Sequence, residues 1–157
     1  MSNQTVVPEC AIIPETLRGL VTNHINRLQE IDDEAFSAKP NLLKWSKKEI
    51  LGHLIDSAQN NLRRFIATQY EAEPPHIIYD QDFWVKANVY NDVSASELIL
   101  LWKLLNDRIA VVLRNLDTES SKRLCNTGKS RPSLNSLSFL ANDYVNHTEH
   151  HLLQLVN

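Results

Sequence analysis

Apolar residues recur along this chain at intervals of three and four, the spacing that places them on one face of an α-helix. Segments with strand-like alternation are scarce, and glycine occurs only 3 times in 157 residues. Four amphipathic segments can be recognised, with apolar stripes that include Leu20, Leu54, Leu105 and Leu140. Helices of this kind bury their stripes against one another. The pattern therefore predicts an all-α protein built as a four-helix bundle.

Two capping boxes mark the starts of helices. Ser46 and Glu49 have the spacing at which a serine and a glutamate side chain cap each other's backbone N–H groups, and Ser94 and Glu97 repeat it. We expect the second and third helices to begin at these serines. The other expected boundaries are Pro14 for the start of the first helix, Pro74 for the end of the second, and Ser133 or Ser136 for the start of the fourth.

The connection between the second and third helices, from about residue 72 to 93, is long enough to cross the bundle. Short loops join antiparallel helices, whereas a crossing connection lets its two helices run the same way. We therefore predict an up-down-down-up topology, with a short extra helix over residues 82–91. Residues 1–157 should form a single domain, in which residues 1–12 are an N-terminal tail.

Charge and composition narrow the possible partners. The formal net charge is -3, and a nucleic-acid-binding surface needs a basic patch, so we expect no nucleic acid as a partner. No export signal is visible, and no apolar run approaches the roughly 18 to 20 residues of a membrane span. We expect a cytoplasmic protein without a membrane partner. Cys10 and Cys125 lack any flanking motif and are expected to be spare thiols in a tail or a loop.

Histidines of the last helix are the strongest chemical signal. His147 and His151 are four residues apart, so their imidazoles lie one above the other and can bind one metal ion. Histidine pairs at this spacing are also common on helix surfaces, so the pair alone does not distinguish a metal site from two surface histidines. A third ligand from another helix would leave coordination positions open, as in catalytic sites. His53 is the candidate, although periodicity alone places it on the exposed side of the second helix.

The remaining histidines have simpler interpretations. His24 lies within the apolar stripe of the first helix, where a core histidine bonded to a backbone or hydroxyl group is expected. His76 lies in the crossing loop without a polar cluster around it, and His150 should point toward water.

Charged residues near the candidate ligands allow two interpretations each. Asp56 and Asp143 lie within about one turn of a candidate ligand and could orient its imidazole, but solvated acids on a helix are the default. Arg63 and Arg64 could hold a substrate carboxylate or be ordinary surface charges.

Several blocks of the sequence occur in an order that is typical of a known family. The block from Lys44 to Ser57, which contains His53, is followed by residues 60–65, 79–84 and 143–152. These blocks resemble the DinB-like superfamily of metal-dependent enzymes. The resemblance implies the same bundle topology, with a divalent ion held by His53, His147 and His151, and it overrides the placement of His53 by periodicity. One departure is that related sequences often carry a further histidine within the block here occupied by residues 61–63.

The function implied by this resemblance covers several chemistries. Relatives include transferases that attach a low-molecular-weight thiol to an electrophile, thiol-dependent isomerases and hydrolases. Our first hypothesis is an enzyme in which one divalent ion, zinc or nickel and otherwise iron, activates a thiol or water for attack on a small-molecule substrate. The alternative is a non-catalytic bundle that binds metal or a protein partner in a stress response. A homodimer is compatible with both hypotheses.

Overall fold

The computed structural model describes residues 9–157, with side chains from Ile12 onward. The elements in chain order are α1 (Glu9–Gln29), α2 (Asp33–Ser37), α3 (Lys47–Tyr70), α4 (Gln81–Asn88), a 3-10 helix (Tyr90–Asp92), α5 (Ala95–Arg114), α6 (Thr118–Ser121), β1 (Leu124–Asn126), β2 (Leu134–Ser136) and α7 (Leu137–Val156). Residues 1–8 of the expected tail and the side chain of Cys10 lie outside the described part. The four long helices α1, α3, α5 and α7 form the predicted bundle.

Helix starts follow the predicted caps closely. Ser46 accepts a hydrogen bond from the Glu49 N–H, and the Glu49 carboxylate accepts one from the Ser46 N–H. Ser94 accepts from the N–H of Glu97, but there the carboxylate accepts from the serine hydroxyl instead. Ser136 caps α7, which is the later of the two predicted starts. Local sequence therefore determines where three of the long helices begin.

The first helix begins earlier than predicted. Pro14 lies inside α1 rather than at its start, although proline removes one hydrogen bond from a helix interior. Ile13 is 6% exposed and lies in the same core cluster as Leu17. Burial of Ile13 favours a helix that begins before Pro14, the start that local capping would suggest.

Contacts at one end of the bundle establish its topology. Arg27, in the last turn of α1, donates a hydrogen bond to the backbone oxygen of Val156 at the end of α7. Lys47, the first residue of α3, donates to the backbone oxygen of Leu155. The ends of α1 and α7 and the start of α3 therefore meet, so α3 runs opposite to both.

The start of α5 joins the same end. Asp33, at the beginning of α2, accepts hydrogen bonds from the Lys48 ammonium at 2.9 Å and from the Ala95 N–H at 3.0 Å. Because Lys48 and Ala95 lie at the starts of α3 and α5, these two helices run in the same direction. The up-down-down-up topology is confirmed.

The helices α1 and α3 lie at diagonally opposite corners of the bundle, because each packs against both α5 and α7. The buried side chains form one apolar cluster toward each end of the bundle, and Trp102 and Leu17 are among the fully buried members. In the described part of the chain, no helix has the length and apolar character needed to cross a bilayer.

The hairpin β1–β2 was not predicted. Its strands have three residues each, which is too short for alternation to be visible in the sequence. Arg123 precedes the hairpin and donates hydrogen bonds to the backbone oxygens of Thr68 and Glu71, and so covers the end of α3. Cys125 lies in β1 and is fully buried. Cys125 has a free thiol, as expected, but its expected position in a loop was wrong, because the pairing of the two strands places this side chain in the core.

The crossing segment carries the predicted extra helix, divided into α4 and the 3-10 helix. Val89 separates them with a left-handed backbone at φ 50°. Tyr90 follows, is 5% exposed, and its hydroxyl donates to the Asp56 carboxylate on α3. Its ring lies against Gly52, where a Cβ would come within 2.0 Å of a ring atom. Tyr90 therefore holds the crossing segment against α3 at the one place where α3 has no side chain.

We expect Gly52→Ala to destabilise the fold by about 1 to 3 kcal/mol, because the new methyl group displaces the Tyr90 ring from a closely packed site. Gly19→Ala in α1 is the matched control. Among the described residues, no atom outside the surrounding helix backbone lies within 4 Å of a Cβ there, so this change should stabilise the helix by up to about 1 kcal/mol. Urea denaturation measures both effects, and a neutral Gly52→Ala would refute the proposed packing.

Candidate metal centre

The helix α3 buries a polar face in addition to its apolar face. His53 is 2% exposed and Asp56 is fully buried, so the interpretation of His53 as exposed was wrong. The buried polar residues of this face are His53, Asp56, Ser57, Asn60 and Asn61. Periodicity could not reveal their burial, because the crossing segment that covers part of this face is distant in sequence.

Three imidazoles from two helices converge at this face. His53 of α3 meets His147 and His151 of α7, with ring centroids 5.0 Å from each, and the two α7 rings are 4.6 Å apart. The Nε2 atoms of His53 and His147 are 3.1 Å apart. One ring nitrogen from each histidine lies within 4.8 Å of the others, as required of a group that could hold a metal ion. The residues predicted from the spacing and from the resemblance are therefore brought together.

Burial keeps these imidazoles neutral. Burial, together with the smaller effect of the neighbouring imidazoles His147 and His151, lowers the pKa of His53 to about 4. Burial likewise lowers the pKa of His147 to about 4, assisted by the charge of His151. The pKa of His151 is lowered mainly by burial, against the opposing effect of the hydrogen bond that its ring donates to Gln154. Near neutral pH each ring therefore has one nitrogen lone pair that is free of a proton.

The Nδ1 atoms of His151 and His53 have different environments. The Nδ1 of His151 lies 3.0 Å from the Oε1 of Gln154, and the Nε2 of Gln154 lies 3.1 Å from the Nε2 of His150. The buried Nδ1 of His53 has no hydrogen-bond partner among the described residues. His53 is instead held by packing against Trp45, whose ring centroid is 5.2 Å away.

Asp56 contacts the crossing segment rather than a ligand imidazole. Its Oδ1 accepts hydrogen bonds from the Tyr90 hydroxyl and from the Asn88 amide. Burial raises the pKa of Asp56 to about 6, although the bond from Tyr90 opposes this shift. Asp143 is exposed on α7, within one turn of His147.

The two arginines contact other parts of the structure than the histidine cluster. Arg64 donates from Nε and Nη2 to the backbone oxygen of Ile77, and from Nη1 to Asn61. Its guanidinium therefore holds the crossing segment on α3. Arg63 is exposed and lines a groove together with Tyr70. The structure does not bring either guanidinium to the histidine cluster.

The remaining histidines lie outside the cluster. His24 is half-buried, and its Nδ1 lies 2.8 Å from the Leu20 oxygen, which confirms the expected backbone partner. The Nε2 of His76 lies 2.7 Å from the Gly128 oxygen, so His76 joins the crossing loop to the hairpin. His150 is exposed, as expected.

A cavity of about 470 Å³ lies next to residues that flank the histidine cluster. It is lined by Pro40, Leu43, Lys44, Trp45, Ile50, Asp82 and Gln154. Trp45 and Gln154 line the cavity and also contact His53 and His151 respectively. Sequence reasoning did not assign either residue to the site. The signal for Gln154 was its position three residues after His151, on the same face of the last helix.

The fold and the histidine cluster define this protein as a four-helix bundle with a potential metal site between two of its helices. The family model of the DinB superfamily matches residues 18–155. The chain therefore belongs to the DinB superfamily, as the sequence blocks had indicated.

One relative is YfiT from Bacillus subtilis (strain 168), which is 27% identical over 114 residues. That match covers 71% of this chain but only 62% of YfiT. The solved structure of YfiT, described as a probable metal-dependent hydrolase with an unusual four-helix bundle topology, has a TM-score of 0.84 at 21% identity and covers 99% of this chain and 89% of YfiT.

A second solved structure is that of a mycothiol-dependent maleylpyruvate isomerase. It has a TM-score of 0.76 at 13% identity, and the match covers 99% of this chain and 63% of the isomerase. Identities this low show a common fold and leave the reaction of this protein open.

The lowered pKa of His53 predicts an acid-dependent loss of stability in the metal-free protein. The folded chain binds this proton only near pH 4, whereas the unfolded chain binds it near pH 6.5. The stabilisation from neutral His53 is therefore complete above pH 6.5 and is lost as the pH falls toward 4. We expect the free energy of unfolding of the wild type to fall by about 1 to 3 kcal/mol relative to His53→Gln over this interval.

Urea denaturation of both proteins, with a chelator present, measures this difference. Asp56, His147 and His151 also titrate in this range, but their contributions are common to the two proteins and largely cancel. An equal pH dependence of the two proteins would contradict the assigned environment of His53.

Proposed function

We propose that this protein is a metal-dependent enzyme in which His53, His147 and His151 hold one divalent ion. The observation that carries the proposal is the convergence of three neutral imidazoles, with one ring nitrogen of each within 4.8 Å of the others. Side chains that bind nothing are rarely arranged this way, because three imidazoles in one place repel each other once protonated.

The donor set suits a mononuclear site. Zinc–nitrogen bonds of about 2.0 to 2.1 Å in a tetrahedral site separate the nitrogens by about 3.4 Å, and the Nε2 atoms of His53 and His147 are 3.1 Å apart. Small side-chain adjustments are enough to admit an ion. Three imidazoles favour zinc or nickel, and iron is also compatible with such ligands.

Three protein ligands leave at least one coordination position for an exogenous group. Because the ligands are neutral, a bound ion would keep its positive charge and lower the pKa of a water or thiol bound to it. Two further residues shape the surroundings of the ligands. Burial of His53 against Trp45 limits water on one side, and Gln154 orients His151.

The substrate in this proposal is a small molecule that occupies the cavity beside the histidines. Its volume of about 470 Å³ lies within the range of about 300 to 1,000 Å³ that is usual for small-molecule sites. Leu43, Trp45 and Ile50 supply apolar walls, while Lys44 and Asp82 supply one charge of each sign. We infer a substrate with an apolar body and at least one polar group.

The names of the relatives suggest two reaction types. Hydrolysis would use water as the nucleophile, as the description of YfiT implies for that protein. Thiol chemistry would use a low-molecular-weight thiol, as the name of the isomerase implies for that enzyme. We propose a hydrolase or a thiol transferase, because both reactions need the same open, positively charged site.

Alanine substitution of His53, His147 or His151 should weaken binding of zinc or nickel by at least about 100-fold, because each removes one of three ligands. Turnover should be lost together with the metal. The matched control is His24→Ala, which removes an imidazole bonded only to a helix oxygen and should leave metal binding unchanged. Elemental analysis of untagged protein and titration of the chelated protein with each ion measure these effects.

Two activity assays then distinguish the reaction types. One follows loss of a model electrophile in the presence of a panel of thiols, and the other follows hydrolysis of activated esters and amides without thiol. Untagged wild-type protein that neither contains nor binds a divalent ion would refute the proposed function. Metal binding without turnover in any assay would favour the non-catalytic alternative.

A further inference from the structure

The last turns of α7 carry a chain of side-chain contacts that leads from the cluster to the surface. His151 is half-buried, whereas His150 and Gln154 are exposed. Gln154 lies three residues after His151 and four after His150, so its amide reaches both imidazoles. The distances are 3.0 Å from Gln154 Oε1 to His151 Nδ1, and 3.1 Å from Gln154 Nε2 to His150 Nε2.

The chemistry of an amide makes these contacts directional. A carbonyl oxygen only accepts hydrogen bonds, so in this orientation of the Gln154 amide the Nδ1 of His151 carries the proton. The lone pair of His151 then lies on Nε2, which is the nitrogen that remains free for the cluster. The amide nitrogen donates, so His150 accepts through Nε2 and carries its own proton on Nδ1. One orientation of the Gln154 amide therefore satisfies both imidazoles and prepares His151 as a ligand.

Two imidazoles of the cluster, those of His53 and His151, are held in different ways. His53 is 2% exposed and is fixed by the packing of α3 and Trp45. His151 lies in the penultimate turn of α7, a helix that ends at Val156, and helix ends fray. Packing is therefore weaker around His151 than around His53, and a side-chain hydrogen bond contributes more to the orientation of His151.

We propose that Gln154 is a positioning residue, which sets the tautomer and orientation of His151 for metal binding, and that His150 acts by holding the Gln154 amide. This inference rests on the proposed function and adds to it a requirement for two residues that are not ligands. Residues that accept a hydrogen bond from a ligand imidazole commonly change metal affinity by about 10- to 100-fold when they are removed.

The test uses the full-length protein, and the readout is the dissociation constant for Zn²⁺, measured by competition with a chromophoric chelator at pH 7.5. We expect Gln154→Ala to raise this constant by about 10- to 100-fold. Gln154→Glu should restore it to within a few-fold of the wild-type value, since a carboxylate also accepts from Nδ1–H. The matched control is Gln69→Ala, because Gln69 donates to the Phe65 oxygen in the last turns of α3.

A double-mutant cycle tests the role assigned to His150. His150→Ala should raise the dissociation constant several-fold, and the variant that combines it with Gln154→Ala should bind no more weakly than Gln154→Ala alone. Fully additive effects would overturn the assignment of His150. A Gln154→Ala protein with wild-type affinity, or a Gln154→Glu protein as weak as Gln154→Ala, would overturn the assignment of Gln154.

These failures are distinguishable from failure of the proposed function. If the wild type binds Zn²⁺, and His151→Ala does not, unchanged affinity in Gln154→Ala refutes only the positioning role. If the wild type itself does not bind the ion, the metal site and the inference built on it are both wrong. Circular dichroism at 222 nm reports the total helix content of each variant, so that a loss of helix is not mistaken for a loss of ligand orientation.

Discussion

Burial of a polar face on α3 is the constraint on which the rest of the structure depends. A buried polar group without a hydrogen bond is costly, and α3 buries a histidine, an aspartate and two asparagines. Asn60 and Asn61 meet this requirement within the helix, by donating to the backbone oxygens of Asp56 and Ser57. Asp56 meets it through the crossing segment, which therefore has to pack where it does. The Nδ1 of His53 and the Oδ2 of Asp56 remain without partners among the described residues.

This arrangement links topology to chemistry. Because α3 and α7 are neighbours in the bundle, a ligand from the middle of the chain can meet two ligands from its end. The crossing connection is the element that makes this possible, since it lets α3 and α5 run in parallel and covers the polar face with Tyr90 and Asn88. Arg64 adds a further attachment through the backbone oxygen of Ile77. The bundle thereby forms a site whose ligands lie on rigid helices, which favours defined geometry.

Burial and partial exposure have separate roles at this site. Burial depresses the pKa of His53 and His147 to about 4, which keeps their lone pairs available at neutral pH. His147 and His151 are partly exposed, and Trp45 and Gln154, which contact the cluster, line a cavity of about 470 Å³. A ligand set that is buried on one side and open on the other is the arrangement expected of a reactive centre rather than of a structural one. The relatives within this fold differ in the reaction named for them, so the shared fold does not by itself select a reaction.

The sequence by itself determined the helices, because capping and periodicity are local properties. Ser46 and Ser94 mark the starts of α3 and α5, the length of the crossing segment predicted the topology, and the spacing of His147 and His151 indicated a ligand pair. Resemblance of the surrounding blocks, rather than periodicity, singled out His53. Only the tertiary structure decided the burial of that residue, the short hairpin with its buried Cys125, and the contacts of Trp45 and Gln154. These features arise from segments that are far apart in sequence or too short to show a period, and their free energy comes from packing that no local pattern records.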